Sequence, residues 1–549
     1  MPAFLNRHTL HLTPLSPIHL GTGEDYEPTN YIIADNALYA FDPAQAELDD
    51  RQRQELHNIV RRINTQNSKE GLEHIKNYIQ KNARNFIAGA YSISSATKAL
   101  ASEYQTPRNN KNQFLIERTA TNPHSHAPYI PGSALKGCLR TALMEIRSEK
   151  QSPETFRLSN PLKEKREQQY YGDALLEQYP HDPHRSEFSS DQLRLTKPSD
   201  LTTNYPVITH ICYATNHKKN SDKASGQLYG RRETIPHALY RAFSGSLAQY
   251  NLTADNRKHA KKPLAKQYPA FAELVCAANR YHWQRFHDEN AKLAERDLIH
   301  PQWRRSTEQL LARIKPELDK GSVLLIRLGK NGGADHKTLQ DYARIRVTPP
   351  HVKPERYDRT ATTIWLAADD DKTKHDLLPF GWALIEIDPT GDNDALQKWC
   401  KENSAHLKDA AVLREKLRAA QNAKAEQAAK NAAEAAAKAA ALAEKQAEEA
   451  AEAARVSALP THERLAHDIL ARLEEHSKTY SDRNQDKNLA LHRDILAILE
   501  QAHGELDNAS QKQLAELLPY KKLESACKGF YTGKKKDQLK DALKKLRGE

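Results

Sequence analysis

At 549 residues the chain exceeds one ordinary domain, and two or three are expected. A formal net charge of +11 favours a polyanionic partner over an acidic one, and the low hydrophobic share of 38 % traces largely to one charged, alanine-rich tract. Cys138, Cys212, Cys276, Cys400 and Cys527 are too scattered for a zinc site, a redox pair or a disulfide framework, residues 1–20 lack a signal-peptide core, and no run reaches membrane-span length. The expectation is therefore a cytoplasmic protein with no metal, no other cofactor and no membrane partner.

Residues 7–18 alternate, with Leu10, Leu12 and Ile18 among polar neighbours, and Pro14 and Pro17 close the run; this reads as a strand entering a loop, Gly21-Thr-Gly-Glu-Asp25. Residues 31–33 and 37–41 flank Asp35-Asn36, a tight-hairpin signal. Residues 44–104 read as helical and mostly solvent-facing, and 114–118 as a short strand. Pro131 and Gly132 then break the chain, Ser133 can cap, and residues 134–143 have helical apolar spacing. Residues 148–192 are polar and weakly periodic, an insertion. Strands are expected at 193–196 and 207–213, a helical pair over about 264–318, a strand at 321–329 entering a glycine-rich loop, and a strand at 382–387. This mixture is α+β.

From Ala410 to Val456 the best helix formers dominate without Gly or Pro. At 1.5 Å per residue this gives a rod of roughly 65–70 Å. Its apolar positions are almost all Ala, so a stiff solvated helix is expected rather than a coiled coil. Pro460 ends it. Residues 461–549 read as a small helical domain whose tail, 533–547, is a basic amphipathic helix: either a solvated face on a packed helix or an extra contact with RNA or a protein. The resulting domains are 1–145, 146–390, 391–459 and 460–549.

Several residues can carry chemistry. A helix starting near Ser133 gathers unpaired N–H groups, and Lys136 and Arg140, four apart, share one face beside it, a combination suited to phosphate. Gly21 and Gly23 beside His19 allow close approach of a sugar–phosphate chain. Gly329-Lys-Asn-Gly-Gly333 with Lys337 and Thr338 lacks the GxxxxGK[ST] pattern of a nucleotide-hydrolysing loop; Arg327, Gly329, Lys330, Gly332, Gly333 and Lys337 suit single-stranded RNA instead. Arg231 and Arg232 beside Tyr229 form either an RNA-stacking group or a charged surface turn. Two catalytic alternatives stand beside these binding roles. His19, with Lys136, has the chemistry of a metal-independent ribonuclease, and Glu24 or Asp25 that of a carboxylate holding a divalent ion.

Ile130-Pro-Gly-Ser-Ala-Leu-Lys-Gly137 with Arg140 resembles the signature of the RAMP superfamily, the repeat-associated RNA-binding proteins of CRISPR effector complexes. Leu12-Thr-Pro-Leu-Ser-Pro-Ile-His-Leu-Gly-Thr-Gly-Glu-Asp-Tyr-Glu-Pro-Thr-Asn-Tyr31, followed by Leu38-Tyr-Ala-Phe-Asp42, resembles the opening of the fifth subunit of type III-A (Csm) complexes. The loop 326–333 and Leu378-Pro-Phe-Gly-Trp382 are similar to later family motifs in the same order. The resemblance covers about residues 1–390. It implies paired ferredoxin-like (RRM-type) modules and a non-catalytic guide-RNA-binding subunit that caps the backbone filament at the crRNA 3′ end and supports maturation of that end. It implies as partners crRNA, the backbone and small subunits, and host nucleases, and as RNA-proximal residues His19, Gly21, Gly23, Ser133, Lys136 and Arg140. Endoribonuclease action through His19 or Asp25 is the alternative. The sequence departs from the family pattern around Asp173, Asp182-Pro-His-Arg185 and Ser199-Asp200, where an insertion separates the usual acidic words.

Overall fold

The computed structural model describes the chain except residues 1–3, 47, 67–70, 107–113, 152–170, 179–185, 220–227, 253–256, 341–344, 349–351 and 482. Much of the expected insertion 148–192, and the Asp182-Pro-His-Arg185 word, lie outside the described residues. The chain divides into two units, Met1–Ala423 and Lys424–Glu549.

The first unit is α+β, as expected, and holds two large sheets. One is built from β1 (Leu5–Pro14), β7 (Thr196–Pro198), β8 (Thr202–Thr203), β11 (Phe243–Tyr250), β12 (Val323–Arg327) and β17 (Trp382–Ile387). Its order is β12-β17-β1-β11-β7, with β8 also on β11. In chain order, β1, the helix Gly132–Ser148, β7, β11, the helix Phe271–Glu295 and β17 make the β-α-β-β-α-β arrangement of a ferredoxin-like module, with β12 added outside β17. Alternation on β1 turns Leu10 and Leu12 to one face, where Leu324, Ile326 and Ile385 join them beneath Leu135, Leu139, Val275 and Ala278 of the two helices. Asn279 fastens the longer helix to β12: its amide donates to the carbonyls of Leu318 and Val323 and accepts from the Leu325 N–H, all at 2.8 Å.

Apart from both sheets, β13 (Ile345–Arg346) pairs with β14 (Tyr357–Asp358), and the second sheet has nine strands. Its path is β2 (Gly21–Tyr26), β6 (Ile116–Thr119), β10 (Tyr229–Thr234), β9 (Thr209–Lys218), β5 (Ala90–Ala96), β4 (Ala37–Phe41) and β3 (Tyr31–Ala34), with β15 (Thr363–Ala368) on β9 and β16 (Leu378–Pro379) on β15. Strands from either side of residue 145 share both sheets. Asp35 and Asn36 turn the β3–β4 hairpin with φ of 51° and 55°, as the sequence predicts.

Three elements differ from expectation. The stretch 44–104 contains helices at Asp50–Gln66, Gly71–Lys81, Ala83–Ala88 and Lys98–Gln105, but also β5, which pairs with β4 and β9. Gly21–Asp25 is a bulged strand on β6 rather than a loop. Residues 193–195 form turns, and pairing begins only at Thr196.

A buried carboxylate stitches the nine-stranded sheet. Glu233 on β10 is fully enclosed and accepts hydrogen bonds from the Tyr26 hydroxyl (3.2 Å), Ser94 Oγ (3.3 Å), Thr209 Oγ1 (2.8 Å) and the Thr119 N–H (3.0 Å). Those donors stand on β2, β5, β9 and β6. Two histidines of the same unit are kept neutral: His237, which stacks on His406 with ring centroids 4.0 Å apart, and His210, whose Nδ1 meets Ser95 Oγ at 2.8 Å. Burial lowers His210 to about 4 and His237 well below its ordinary value, with His406, His210 and His300 nearby adding to the effect on His237.

The second unit contains helices at Thr461–Thr479, Gln485–Glu505, Asn508–Leu517, Tyr520–Ala526 and Lys534–Arg547, and has its own core of Ile469, Leu473, Ile495, Leu514, Phe530 and Leu539. The boundary between the units falls inside the 50-residue helix Lys408–Ser457, whose described side chains are solvent-facing from residue 429 to 455.

Two outcomes follow from this packing. Glu233→Ala strands the donors of four strands, and urea unfolding is expected to show a loss of about 3 kcal/mol or more. The depressed histidines stay unprotonated when folded and bind protons when unfolded, so their contribution is present above an unfolded pKa near 6.5 and is lost as pH falls toward about 4. The urea midpoint of the protein is expected to drop between pH 7 and pH 5, and His210→Gln is expected to flatten that dependence.

Candidate nucleic-acid interface

The helix Gly132–Ser148 begins two residues earlier than its capping serine would place it. Pro131 occupies the cap position, and the first helical N–H, that of Gly132, donates to Asp200 Oδ1 at 2.8 Å. A Cβ on Gly132 would lie 2.5 Å from the Pro198 carbonyl oxygen, so glycine is required by close packing. The expected bare, phosphate-receptive helix end is thus partly closed by the chain at 198–200 and capped by a carboxylate. Ser133 lies exposed in the first turn. Arg140 is also committed internally: it donates to Asp191 at 2.6 Å and to Asp173 at 2.8 Å.

On its other side this helix meets the end of β12, where Cys138 Sγ donates to the Arg327 carbonyl at 2.9 Å. Burial pushes the Cys138 thiol up to about 12, and the Lys337 charge close by opposes that rise. The glycine-rich loop that follows docks on the His19 segment: the Lys330 N–H donates to the His19 carbonyl at 2.8 Å. Gly329 has φ +84°, and a Cβ there would sit 2.2 Å from that same carbonyl oxygen. The sequence's three motif segments are therefore brought together around the end of β12.

The individual side chains differ from their expected roles. His19 is completely enclosed; its Nδ1 meets the Glu233 carbonyl at 2.7 Å and its Nε2 lies 3.5 Å from Glu117 Oε2, with Gly21 over the ring. A substrate hydroxyl cannot reach it in this arrangement. Arg327 is equally enclosed, bonded to Glu289 at 2.5 Å and to the Phe380 carbonyl at 2.8 Å, with Gly332 covering it. His336 completes that group 3.2 Å from Glu289, and Trp382 Nε1 donates to the same carboxylate. Arg231 pairs with Glu103 at 2.6 Å beside Phe114, and Arg232 with Glu117 at 3.0 Å, so neither forms a surface turn or a stacking group. Glu117 also receives Lys330 at 2.6 Å; burial would raise its pKa, but the bonds from His19 and Lys330 and the Arg232 charge outweigh that and bring it to about 2.

Glu24 pairs with Arg118 at 3.3 Å, and Asp25 is half-buried near Arg232. Among the described residues, no group of three or more His, Cys, Asp or Glu side chains could hold a metal ion. Gly23 and Gly333 are left-handed and open, and Lys337 is exposed.

The surface that remains for a polyanion is a groove beside the signature helix, and most of it was missed by motif reading. Lys136, Arg140, Arg194, Lys197, Lys261 and Lys262 line it together with the acids Asp173, Glu187 and Asp191, and its Phe188 is 75 % exposed. Lys136 is half-buried, and burial, the Lys197 charge and Arg140 depress its pKa against the pull of Asp191. Arg140 is neutralised by its two carboxylates, which leaves Lys136, Arg194, Lys197, Lys261 and Lys262 as the cations the groove offers an anion. The signal in the sequence was the cluster Arg194, Lys197, Lys261 and Lys262, which no periodicity ties to Lys136. Among the described residues, no helix is long and apolar enough to cross a membrane.

No curated protein matches this chain. Two of the solved structures similar to it are the following. One belongs to a cryo-EM structure of a Csm–crRNA–target RNA ternary complex of a type III-A CRISPR-Cas system, with 15 % identity, 69 % of this chain and 100 % of that one covered, and a TM-score of 0.40. The other is the crystal structure of T. onnurineus Csm5, with 14 % identity, coverages of 68 % and 99 %, and a TM-score of 0.39. A family model of the RAMP superfamily matches residues 11–332, more than half of the sequence, and the chain belongs to that superfamily.

Proposed function

We propose that this chain is a guide-RNA-binding subunit of a type III-A CRISPR interference complex. In this reading it sits at the crRNA 3′ end, caps the filament of backbone subunits, contacts the backbone and small subunits, and supports trimming of that end by host nucleases. Superfamily membership supports an RNA ligand. The N-terminal words from Leu12 to Asp42 support the fifth-subunit assignment.

The observation that carries the reading is the groove, in which the half-buried Lys136 shares the lining with Lys197, Arg194, Lys261 and Lys262. A phosphodiester backbone laid there meets these ammonium and guanidinium groups, and each phosphate neutralised releases counterions. Lysines act as point charges and read no base edge, so contact is sequence-neutral. Phe188 offers an exposed ring on which one base can stack. His19, Gly329 and Arg327 act one layer back, holding the two loops and the helix in register.

Neutralising Lys136 and Lys197 together (K136Q/K197Q) is expected to flatten the dependence of log affinity on log salt by about 1.4 for single-stranded RNA. The fold should be unaffected. An unchanged slope would show that the groove does not bind RNA. Gly329→Ala gives a different pattern: the added Cβ drives the glycine-rich loop off the His19 carbonyl, costing about 1–3 kcal/mol in urea unfolding and weakening RNA binding with it. Lys330→Ala removes only a surface ion pair and is expected to cost less than about 1 kcal/mol. The 3′-end role is tested in the assembled complex, where deleting this subunit should leave guides extended at their 3′ ends; guides of wild-type length would remove that part of the reading.

A further inference from the structure

The C-terminal unit lies outside the superfamily match, yet it carries the densest positive charge of the chain. Residues 518–549 contain ten Lys and Arg against four Asp and Glu. The helix Lys534–Arg547 buries Leu539, Leu543 and Leu546, one apolar stripe packed into the same core as Phe530 and Tyr531. With that stripe turned inward, Lys536, Lys540, Lys544 and Arg547, at i, i+4, i+8 and i+11, form a basic stripe on another face. The Lys536 and Lys540 ammonium groups stand 5.0 and 5.5 Å from the Tyr520 ring centroid, which carries the stripe across to the neighbouring helix and its exposed Lys521 and Lys522.

These cations differ from those of the first unit in having no acidic partners. Among the described residues, the ion pairs of the second unit are Lys445–Glu449, Arg455–Glu452, His462–Glu463 and Arg472–Asp468, and none involves the stripe. Asp537 and Asp541 fall on the adjacent helical stripe.

We propose that this face is a second, sequence-neutral binding site for the phosphate backbone of a nucleic acid. Regularly spaced lysines on a rigid helix match a ligand whose charge repeats along its length. A membrane surface is disfavoured, because an interfacial helix must offer its apolar side to lipid and this one has buried it. A protein partner would be expected to find an apolar core in the patch, and no exposed large hydrophobic residue lies between 518 and 549. The inference does not depend on the role proposed for the first unit.

The test uses the full-length protein and a fluorescein-labelled single-stranded RNA of mixed sequence, with anisotropy titrations across a salt series. In the K136Q/K197Q background, the stripe variant K536Q/K540Q/K544Q/R547Q is expected to flatten the remaining salt slope by about 2.8, from four charges at about 0.7 each. The charge-retaining K536R/K540R/K544R variant should keep the slope of its parent. An unchanged slope in the first variant would overturn the site, and so would an equal loss in the second, which would mark a packing role. Thermal unfolding by circular dichroism accompanies both; a lowered C-terminal transition that tracks the loss of binding also overturns it. Loss of binding to phosphatidylserine vesicles with RNA binding intact would assign the face to a membrane instead. Failure of the first-unit groove would appear as no difference between wild type and K136Q/K197Q, and would leave these outcomes readable.

Discussion

The carboxylate of Glu233 is the constraint on which the candidate site depends. Placing a carboxylate away from water costs several kcal/mol unless its lone pairs are filled. Here burial raises its pKa, while Thr209, the Thr119 N–H, the Arg118 charge and Tyr26 pull the other way. Each of the bonded donors comes from a different strand, so the cost is offset only when β2, β5, β6 and β9 are all in register with β10. The same residue's carbonyl fixes His19 Nδ1, and the carbonyl of His19 in turn receives the Lys330 N–H. One residue therefore links assembly of the nine-stranded sheet to the position of the glycine-rich loop. Through that linkage His19 and Gly329 hold the loop from within the fold.

A second buried group plays the corresponding part on the other sheet. Arg327 at the end of β12 is bonded to Glu289 from the helix Phe271–Glu295 and to the carbonyl just before β17. The carboxylate also receives Trp382. Burial would raise the pKa of Glu289, but Arg327 and His336 hold it far below the carboxylate range. This group ties the exit of β12, the loop 329–333 and the start of β17 into one joint. Cys138 adds the signature helix through the Arg327 carbonyl.

Legibility in the sequence followed local signal strength. The strands at β1, β12 and β17, the Asp35-Asn36 hairpin and the long alanine-rich helix each carry their own periodicity or turn chemistry, and they form where expected. β5 does not announce itself, because Tyr91-Ser-Ile-Ser-Ser95 is short, weakly alternating and set between helices; it is a strand because β4 and β9 supply its partners. β2 is hidden by its glycines and acids and pairs irregularly with β6. Motif words marked the helix that borders the candidate groove but not the partners of individual charges. Whether Arg327 faces RNA or Glu289 turns on a contact 38 residues away, and whether Arg140 is free turns on Asp173 and Asp191 in a segment without periodicity. No local pattern encodes such pairings.

The pairings nonetheless obey a rule of side-chain chemistry. Arg140, Arg231, Arg232, Arg241 and Arg327 all end in carboxylate pairs within the fold, most of them half-buried or buried. Lys136, Lys197, Lys261, Lys262 and Lys337 line the groove or lie exposed. A guanidinium is weakly hydrated, permanently charged and planar, so it can be desolvated against a carboxylate and used as a structural fork; an ammonium is strongly hydrated and mobile, and is better left in water until a phosphate displaces that water. Arginine here builds the frame, and lysine supplies most of the charge left for contact. A surface of mobile point charges on an arginine-braced frame can follow a polyanion of any sequence, because it fixes the path of the backbone while leaving the base edges unread.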